Sequence, residues 1–174
     1  MTFLLDPYAA RSCPVKTFNA FDPGTPKPEK PLDESLLEAF SGGSEFRESM
    51  LEALCRADDV VDLHDEGHNP AKTLAAMETG APVIVGGCLP VDVTGHRTGC
   101  PDALVRGDDR PGGRPGYWPL RVKPYRLLEK QHNAKELRAS AIGSPTTLEP
   151  LPGFRFRSYR QGVLLELAHH WRLL

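Results

Sequence analysis

The stretch GAPVIVGGCLPVDVTGHRTGCPDALVRGDDRPGGRPGYWPLRVKPYR, residues 80–126, decides the fold. Its apolar run Pro82–Val85 is typical of a short buried strand, and Ala103–Val105 and Leu120–Val122 predict two more. The segment RGDDRPGGRPG between the last two is rich in proline and glycine and predicts a hairpin loop. The stretch therefore predicts three strands of one sheet, the last two of them neighbours.

Two charged residues flank these predicted strands. Asp102 opens the second strand and Lys123 ends the third, so a carboxylate and a lysine are expected on adjacent strands. Metal-dependent phosphodiester hydrolysis uses such a pair, because a carboxylate holds the metal that activates water. A second carboxylate would complete the metal site two positions before the lysine, but Arg121 stands there.

Length and composition indicate one domain that spans residues 1–174. The chain has 174 residues, 40% of them hydrophobic, which suffices for a core. No run approaches the ~20 apolar residues of a membrane span, and the first residues do not form a signal peptide. We therefore expect a cytoplasmic protein without a membrane segment. Its four cysteines follow no zinc-site spacing and are predicted to be mostly small buried apolar residues in a reducing compartment.

The net charge of −2 gives no global signal for nucleic-acid binding, so any binding must use a local patch. Arginines do cluster in the second half of the chain. The candidates for contact with nucleic acid are Arg106, Arg121, Arg126, Arg155 and Arg157. A solvated surface would show the same run of charges.

The remaining segments alternate helical and irregular patterns. Helices are predicted over Ser35–Phe40, over residues 44–57 after a break at Gly42-Gly43, over Ala71–Thr79, and from Gln161 to the end. The proline-rich residues 18–32 predict an extended connector, residues 131–153 an irregular stretch, and Phe154 and Phe156 alternate as in a strand. In residues 64–69, HDEGHN, His64 and His68 suggest a metal loop, but Gly67 before Pro70 favours a turn.

The order of these motifs resembles the RecB-like nucleases of the PD-(D/E)xK superfamily, in particular stand-alone bacterial members found especially in actinobacteria. The matching segments are LDPYAARSCPVKTFNAFDP, TLAAMETGAPVIVGGCL, the GxxD of Gly99–Asp102, PLRVK and LLELAHHWRLL. The resemblance implies an α/β fold with a restriction-endonuclease-like core, a small mixed β-sheet flanked by helices. It also implies Mg²⁺ or Mn²⁺ as cofactor and single- or double-stranded DNA as partner.

Carried over by position, the match is partial. Asp102 corresponds to the metal-binding aspartate and Lys123 to the lysine that orients water. Glu166 and His170 stand where the family has the glutamine and tyrosine of its QxxxY pair. Arg47 occupies the position of the family's helical acid, and Glu48 follows as a possible metal ligand with Asp102. Some relatives hold an iron–sulfur cluster with late cysteines, but no cysteine follows Cys100, so no cluster is expected.

Arg121 is the departure with the greatest chemical consequence. Mg²⁺ prefers carboxylate oxygens, whereas a guanidinium cannot ligate a cation and stays charged. We therefore expect weak or absent metal binding, with Arg121 pairing with Asp102 or gripping a phosphate. Glu166 and Glu48 could still supply carboxylates.

Three functions remain open from the sequence. The first is a DNA nuclease domain with an impaired or rearranged site, and the second is a catalytically silent nuclease-like module that binds DNA or a partner protein. The third is a hydrolase that uses the His64–His68 loop. The apolar end at Trp171–Leu174 further predicts that more chain, such as a C-terminal domain, follows in the natural protein.

Overall fold

A computed structural model describes residues 3–27, 34–134 and 137–174 of the chain. Five helices and eight strands are present in these residues. The helices are α1 (Pro7–Arg11), α2 (Pro14–Phe21), α3 (Glu34–Cys55), α4 (Pro70–Glu78) and α5 (Gln161–Trp171). The strands are β1 (Val60–Asp62), β2 (Val83–Val85), β3 (Ala103–Arg106), β4 (Tyr117–Leu120), β5 (Leu128–Lys130), β6 (Leu137–Ala139), β7 (Glu149–Leu151) and β8 (Phe154–Phe156).

The first four strands form one small mixed sheet in the order β1-β2-β3-β4. β1 runs parallel to β2, while β2–β3 and β3–β4 are antiparallel. Helices cover both faces, and all three residues of β2 are buried. Two further hairpin-like pairs, β5–β8 and β6–β7, lie outside this sheet. The expected α/β class, with a small mixed sheet flanked by helices, is confirmed.

Alternation along β2 divides the core into two clusters. Val83 and Val85 pack with Leu51 and Leu54 of α3, whereas Ile84 points to the other face. The second face joins Ile84 to side chains of α4, β3 and β4, namely Ala76, Leu104 and Tyr117. Because successive side chains of a strand point to opposite faces, three residues connect both layers of helices.

Helix α3 runs without a break through Gly42 and Gly43, so the predicted interruption is wrong. Each glycine lowers helix stability by ~1 kcal/mol relative to alanine, which tertiary packing can offset. At Gly43, an added Cβ would lie 3.6 Å from the ring of Pro124, so the backbone here runs close to the segment after β4. The last two turns carry the buried Leu51 and Leu54, whereas Phe46, which has the same helical spacing, is 41% exposed.

The third strand of the predicted set lies earlier than expected. β4 ends at Leu120, so Arg121, Val122 and Lys123 follow the strand instead of forming its end. The backbone N–H of Val122 donates to the side chain of Asp102 at 2.6 Å and therefore serves the site rather than the sheet. The predicted hairpin between the second and third strands is confirmed by the β3–β4 register.

Several other local predictions are wrong. Pro14 begins a helix, at a position where proline is well tolerated, and this helix occupies part of the predicted connector. Residues 22–27 of that connector are irregular, and residues 28–32 lie outside the described residues. The β6–β7 hairpin occupies the stretch predicted to be irregular. The apolar spacing of α4 predicts Leu74 and Met77 as its buried contacts. Met77 is partly buried against the core, but Leu74 is 40% exposed and the buried side chains are Thr73 and Ala76.

The prediction of unlinked cysteines is wrong for Cys88 and Cys100, which form a disulfide. The intervening loop folds back on itself, and Leu89 N–H donates to the Gly99 carbonyl at 3.1 Å. That bond brings the two cysteines together although they are 12 positions apart. Cys13 and Cys55 are free.

Within the described residues, every helix is too short or too polar to cross a lipid bilayer.

Candidate functional site

Asp102 lies immediately before β3 and is completely buried. Its backbone continues the sheet, since Gly86 N–H donates to the Asp102 carbonyl at 3.1 Å and Asp102 N–H to Leu120 at 3.0 Å. Its carboxylate accepts three hydrogen bonds, one of them from Val122 N–H at 2.6 Å. The fold thus holds one carboxylate rigidly at the point where the two central strands begin and end.

The other two hydrogen bonds to Asp102 come from arginines. Arg47 Nε of α3 donates at 2.8 Å and Arg121 donates through a terminal nitrogen at 3.0 Å, both to Oδ1. The Arg47 side chain is 42% exposed and that of Arg121 is 25% exposed, so both approach the carboxylate from the solvent side. Of the two roles predicted for Arg121, the pairing with Asp102 is present.

Glu166 of α5 forms the second anionic position and is also buried. Lys123 Nζ donates to its Oε2 at 2.7 Å, and Arg11 of α1 lies 2.9 Å from its Oε1. Arg121 Nε lies 3.5 Å from Oε2, an ion-pair distance without hydrogen-bond geometry. Arg121 therefore connects the two buried carboxylates, and α1 is attached to the site through Arg11.

His170 lies one helical turn beyond Glu166 and is fully buried. Burial lowers the pKa of its imidazole to about 4, and the nearby charges of Arg121 and His169 act in the same direction while Asp102 opposes them. Neither ring nitrogen has a hydrogen-bond partner among the described residues. His170 is consequently a neutral side chain within a charged cluster.

His170 packs against Gly99, the glycine of the GxxD motif, so closely that a larger residue would not fit at position 99. A Cβ on Gly99 would lie 2.8 Å from His170 Nδ1, closer than side chains approach one another. The neighbouring His169 makes a 3.0 Å hydrogen bond to the Thr98 carbonyl. The two histidines therefore dock α5 against the backbone that leads to Asp102.

The cluster around Asp102 and Glu166 contains more cations than anions. Its four cations are Arg11, Arg47, Arg121 and Lys123, set against two carboxylates. A divalent cation at Asp102 would have to displace two guanidiniums and accept four positive neighbours. Since Mg²⁺ and Mn²⁺ require oxygen ligands that are free to coordinate, these residues do not fit the expected metal.

Other predicted site residues lie elsewhere. Glu48 faces a different groove of α3, lined with Glu52, Cys55 and Asp62, and does not contribute to the Asp102 cluster. Arg106 on β3 holds the β3–β4 loop through Asp109 and the Gly116 carbonyl.

The remaining predicted arginines lie in and beside the β5–β8 pair. Arg155 and Arg157 pair with Glu129 across it, and Arg126 is exposed just before β5. Their charges are therefore partly neutralised or remote from Asp102.

Two open grooves meet at Arg121. One, of about 730 Å³, includes Arg106, Arg138 and the half-exposed Trp118, and the other, of about 300 Å³, includes Lys123 and Phe46. The grooves share Leu120, Arg121, Ser140 and Pro145, so the loop between β6 and β7 forms a wall of both. Trp118 stacks with Trp171 at a ring distance of 6.5 Å. Cations and an exposed aromatic pair therefore lie along one surface.

The two histidines of the predicted HDEGHN loop belong to two different groups. His64 Nδ1 contacts Asp62 Oδ1 at 2.9 Å, and Asp62 contacts Cys55. His68 Nδ1 lies 3.2 Å from both sulfurs of the Cys88–Cys100 disulfide. His68, Cys88 and Cys100 resemble a metal-ligand set, but the disulfide removes their thiolates. A single site with both histidines is not formed, and residues 64–66 form the predicted turn.

Sequence reasoning missed Arg11 and the role of Arg47. Arg47 was recognised only as a departure from an acidic position, and no local pattern marks Arg11 as a partner of a residue 155 positions away. Both depend on how α1 and α3 pack.

No protein-family model, curated protein or solved structure matches this chain.

Proposed function

We propose that the chain is a RecB-type PD-(D/E)xK nuclease-like domain that binds DNA and whose metal position has been taken over by arginines. One observation carries this proposal: Arg47 and Arg121 both donate to the buried carboxylate of Asp102. The order of the GxxD and PLRVK motifs in the sequence is the reason for proposing this family. The two guanidiniums at Asp102 are the reason for proposing that the metal is absent.

The sheet supports the restriction-endonuclease-like core that this family implies. Asp102 precedes one central strand and Lys123 follows the next, and both reach the same cluster through Arg121 and Glu166. A carboxylate and a lysine at neighbouring strand ends are the elements that the superfamily uses. A cytoplasmic location, where DNA is accessible, belongs to the same proposal, although a disulfide such as Cys88–Cys100 is uncommon in a reducing compartment.

Loss of metal-dependent cleavage follows from electrostatics. Two unit charges 4 Å apart interact by ~4 kcal/mol at an effective dielectric constant near 20. Each arginine at Asp102 therefore opposes a divalent cation by an amount comparable with ordinary binding free energies. The remaining carboxylate, Glu166, is engaged by Arg11 and Lys123.

The grooves that meet at Arg121 support DNA, and a single strand in particular. Arginine side chains bind phosphates and unpaired bases stack on exposed indoles. Arg138 and Arg121 line the larger groove and are the arginines proposed to contact phosphates there. Trp118 is 53% exposed beside these cations. An added Cβ on Gly107 would lie 2.3 Å from Trp118 Nε1, so a glycine is required beneath the indole.

Binding is tested by fluorescence anisotropy with labelled single-stranded and duplex oligonucleotides over a range of salt concentrations. We expect the single strand to bind more tightly. Trp118→Ala should weaken it by ~1–3 kcal/mol, and Arg138→Ala should lower the salt slope by about one unit. Arg56→Ala, an exposed arginine in the other groove of α3, is the matched control. Absence of binding to either DNA would overturn this part and leave partner-protein binding as the alternative.

Cleavage is tested on the same oligonucleotides with Mg²⁺ or Mn²⁺. The wild type should be inert, and the variant Arg47→Glu/Arg121→Asp should gain metal-dependent cleavage that an added Asp102→Ala abolishes. Cleavage by the wild type that requires both metal and Asp102 would show instead that the enzyme retains a rearranged active site.

A further inference from the structure

A second cluster of side chains that could ligate a metal lines a groove of α3 that does not contain Asp102. Its members are Cys55, at the end of α3, Asp62, at the end of β1, and His64, in the turn that follows. Asp62 Oδ2 lies 3.6 Å from Cys55 Sγ, and Asp62 Oδ1 lies 2.9 Å from His64 Nδ1. The three potential ligand atoms all lie within 4.8 Å of one another.

We propose that Cys55, Asp62 and His64 form a binding site for a transition-metal ion of the Zn²⁺ class. A thiolate, an imidazole and a carboxylate are the three ligand types that zinc uses in proteins. With bonds of ~2.0–2.3 Å, tetrahedral ligand atoms lie roughly 3.3–3.8 Å apart. The 3.6 Å separation between Cys55 Sγ and Asp62 Oδ2 lies within this range. The soft sulfur ligand excludes Mg²⁺ and Ca²⁺, which prefer oxygen alone.

The backbone holds two of the three ligands in place. Asp62 Oδ1 also accepts a 2.9 Å hydrogen bond from the His64 N–H, which fixes the carboxylate relative to the turn. Gly86 permits this turn to lie against β2, because its φ is 71° and an added Cβ would be 2.9 Å from the His64 nitrogen. The position of His64 is thus built into the end of the sheet.

The site opens on a groove of about 490 Å³ that also contains Glu48 and Glu52. Three protein ligands next to an accessible groove leave a fourth coordination position for water or an exogenous ligand, as in catalytic zinc sites. Among the residues that line this groove, the positively charged side chain is Arg56, and one of its terminal nitrogens lies 4.0 Å from a carboxylate oxygen of Glu52 on the exposed face of α3. The groove therefore presents carboxylates around the thiol and imidazole, an environment that favours a divalent cation.

This site is independent of the proposed DNA-binding function. Arg47 and Glu48 are adjacent on α3, yet Arg47 contacts Asp102 while Glu48 lines the second groove. It also differs from the His68 group, whose two sulfurs are joined to each other.

The experiment is an anaerobic titration of the full chain with Co²⁺, with the disulfide intact, followed by absorption spectroscopy and competition with Zn²⁺. We expect one equivalent of Co²⁺, a thiolate-to-cobalt charge-transfer band and displacement by Zn²⁺. Cys55→Ser should remove the band, and Asp62→Asn and His64→Ala should each weaken binding by about tenfold or more. Circular dichroism checks that each variant folds.

Two variants serve as matched controls. Cys13→Ser removes the other free thiol, and His68→Ala removes the histidine beside the disulfide; both should retain the band and the stoichiometry. Absence of Co²⁺ binding by the wild type overturns the proposal. A band that survives Cys55→Ser, or that is lost in Cys13→Ser or His68→Ala, also overturns it, because the ion would then be bound elsewhere.

Discussion

Arg121 donates a 3.0 Å hydrogen bond to the fully buried carboxylate of Asp102. In the family that the sequence resembles, position 121 carries an acid that shares a metal with this aspartate. This chain has an arginine at position 121, and its guanidinium forms an ion pair with Asp102. Asp102 is therefore engaged by guanidiniums of its own chain and is not free to coordinate a cation.

The ion pairs of Asp102 should contribute strongly to folding. Asp102→Ala would leave Arg47 and Arg121 without their shared acceptor and Val122 N–H without its partner, and we expect the free energy of unfolding to fall by roughly 3–5 kcal/mol. Denaturant unfolding measures this change. Asp65→Ala, at an exposed aspartate in the 64–66 turn, should change it by less than ~0.5 kcal/mol. Equal effects of the two variants would contradict a structural role for the cluster.

Gly99 and His170 should be energetically coupled. Gly99→Ala places a methyl group 2.8 Å from His170 Nδ1, and we expect a loss of ~1–3 kcal/mol in the free energy of unfolding. Adding His170→Ala should recover part of that loss, since the smaller side chain leaves room. Gly143→Ala is the control, because nothing lies within 4 Å of the added Cβ there. Strict additivity of the two changes would refute the contact.

His170 should make stability depend on pH in the mildly acidic range. The pKa of its imidazole is about 4 in the folded chain against 6.5 for the ordinary group, so the unfolded chain binds the proton more readily. Stability is therefore fully present above pH 6.5 and declines as the pH falls towards 4. The integrated loss is about 3 kcal/mol at 1.36 kcal/mol per pKa unit.

Unfolding measured at several pH values checks this dependence. His170→Asn should flatten the decline between pH 6.5 and 4, because its side chain does not titrate. His132→Asn, at an exposed histidine, should keep the slope of the wild type. A wild-type slope in His170→Asn would assign the dependence to other groups.

Reduction of the Cys88–Cys100 disulfide should lower the melting temperature. The bond closes a short loop, with the two cysteines 12 positions apart, and constraint of the unfolded chain by such a loop contributes ~3 kcal/mol. Thermal unfolding with and without a phosphine reductant measures the change. The variant Cys88→Ser/Cys100→Ser should melt near the reduced wild type and be insensitive to reductant. In Cys13→Ser the sensitivity should persist, and its disappearance there would point to a different thiol.

The sheet and most of its strands could be predicted from local patterns. The run Pro82–Val85 is apolar at every position, which predicts a strand buried on both faces and accounts for β2. The Pro/Gly-rich loop before Tyr117 predicts a hairpin, which accounts for the antiparallel pair β3–β4. The exact end of β4 did not follow, because Val122 gives its N–H to the side chain of Asp102 instead of a neighbouring strand. Likewise, α3 continues through two glycines because its C-terminal half packs on the sheet.

Only part of the candidate site could be predicted from the sequence. Asp102, Lys123, Glu166 and His170 were named from motif positions, and they do lie in one cluster with Arg121. Glu48 was named for the same site but lies in the other groove, since a shift of one residue turns a side chain by ~100° around a helix. The Cys88–Cys100 disulfide and the cluster of Cys55, Asp62 and His64 could not be predicted from the sequence. The spacing of cysteines along the chain does not show which segments fold back against one another.

The sequence by itself determined the short buried strands, the turn chemistry between them, and the presence of an arginine two positions before Lys123. These are local properties, set by side-chain periodicity, backbone preferences and residue charge. Only the tertiary structure decided that Arg11, Arg47 and Arg121 meet two buried carboxylates, and that Cys55, Asp62 and His64 converge elsewhere. Such contacts depend on helix rotation and on packing between segments far apart in the chain, where a displacement of a few ångströms exchanges one ionic partner for another.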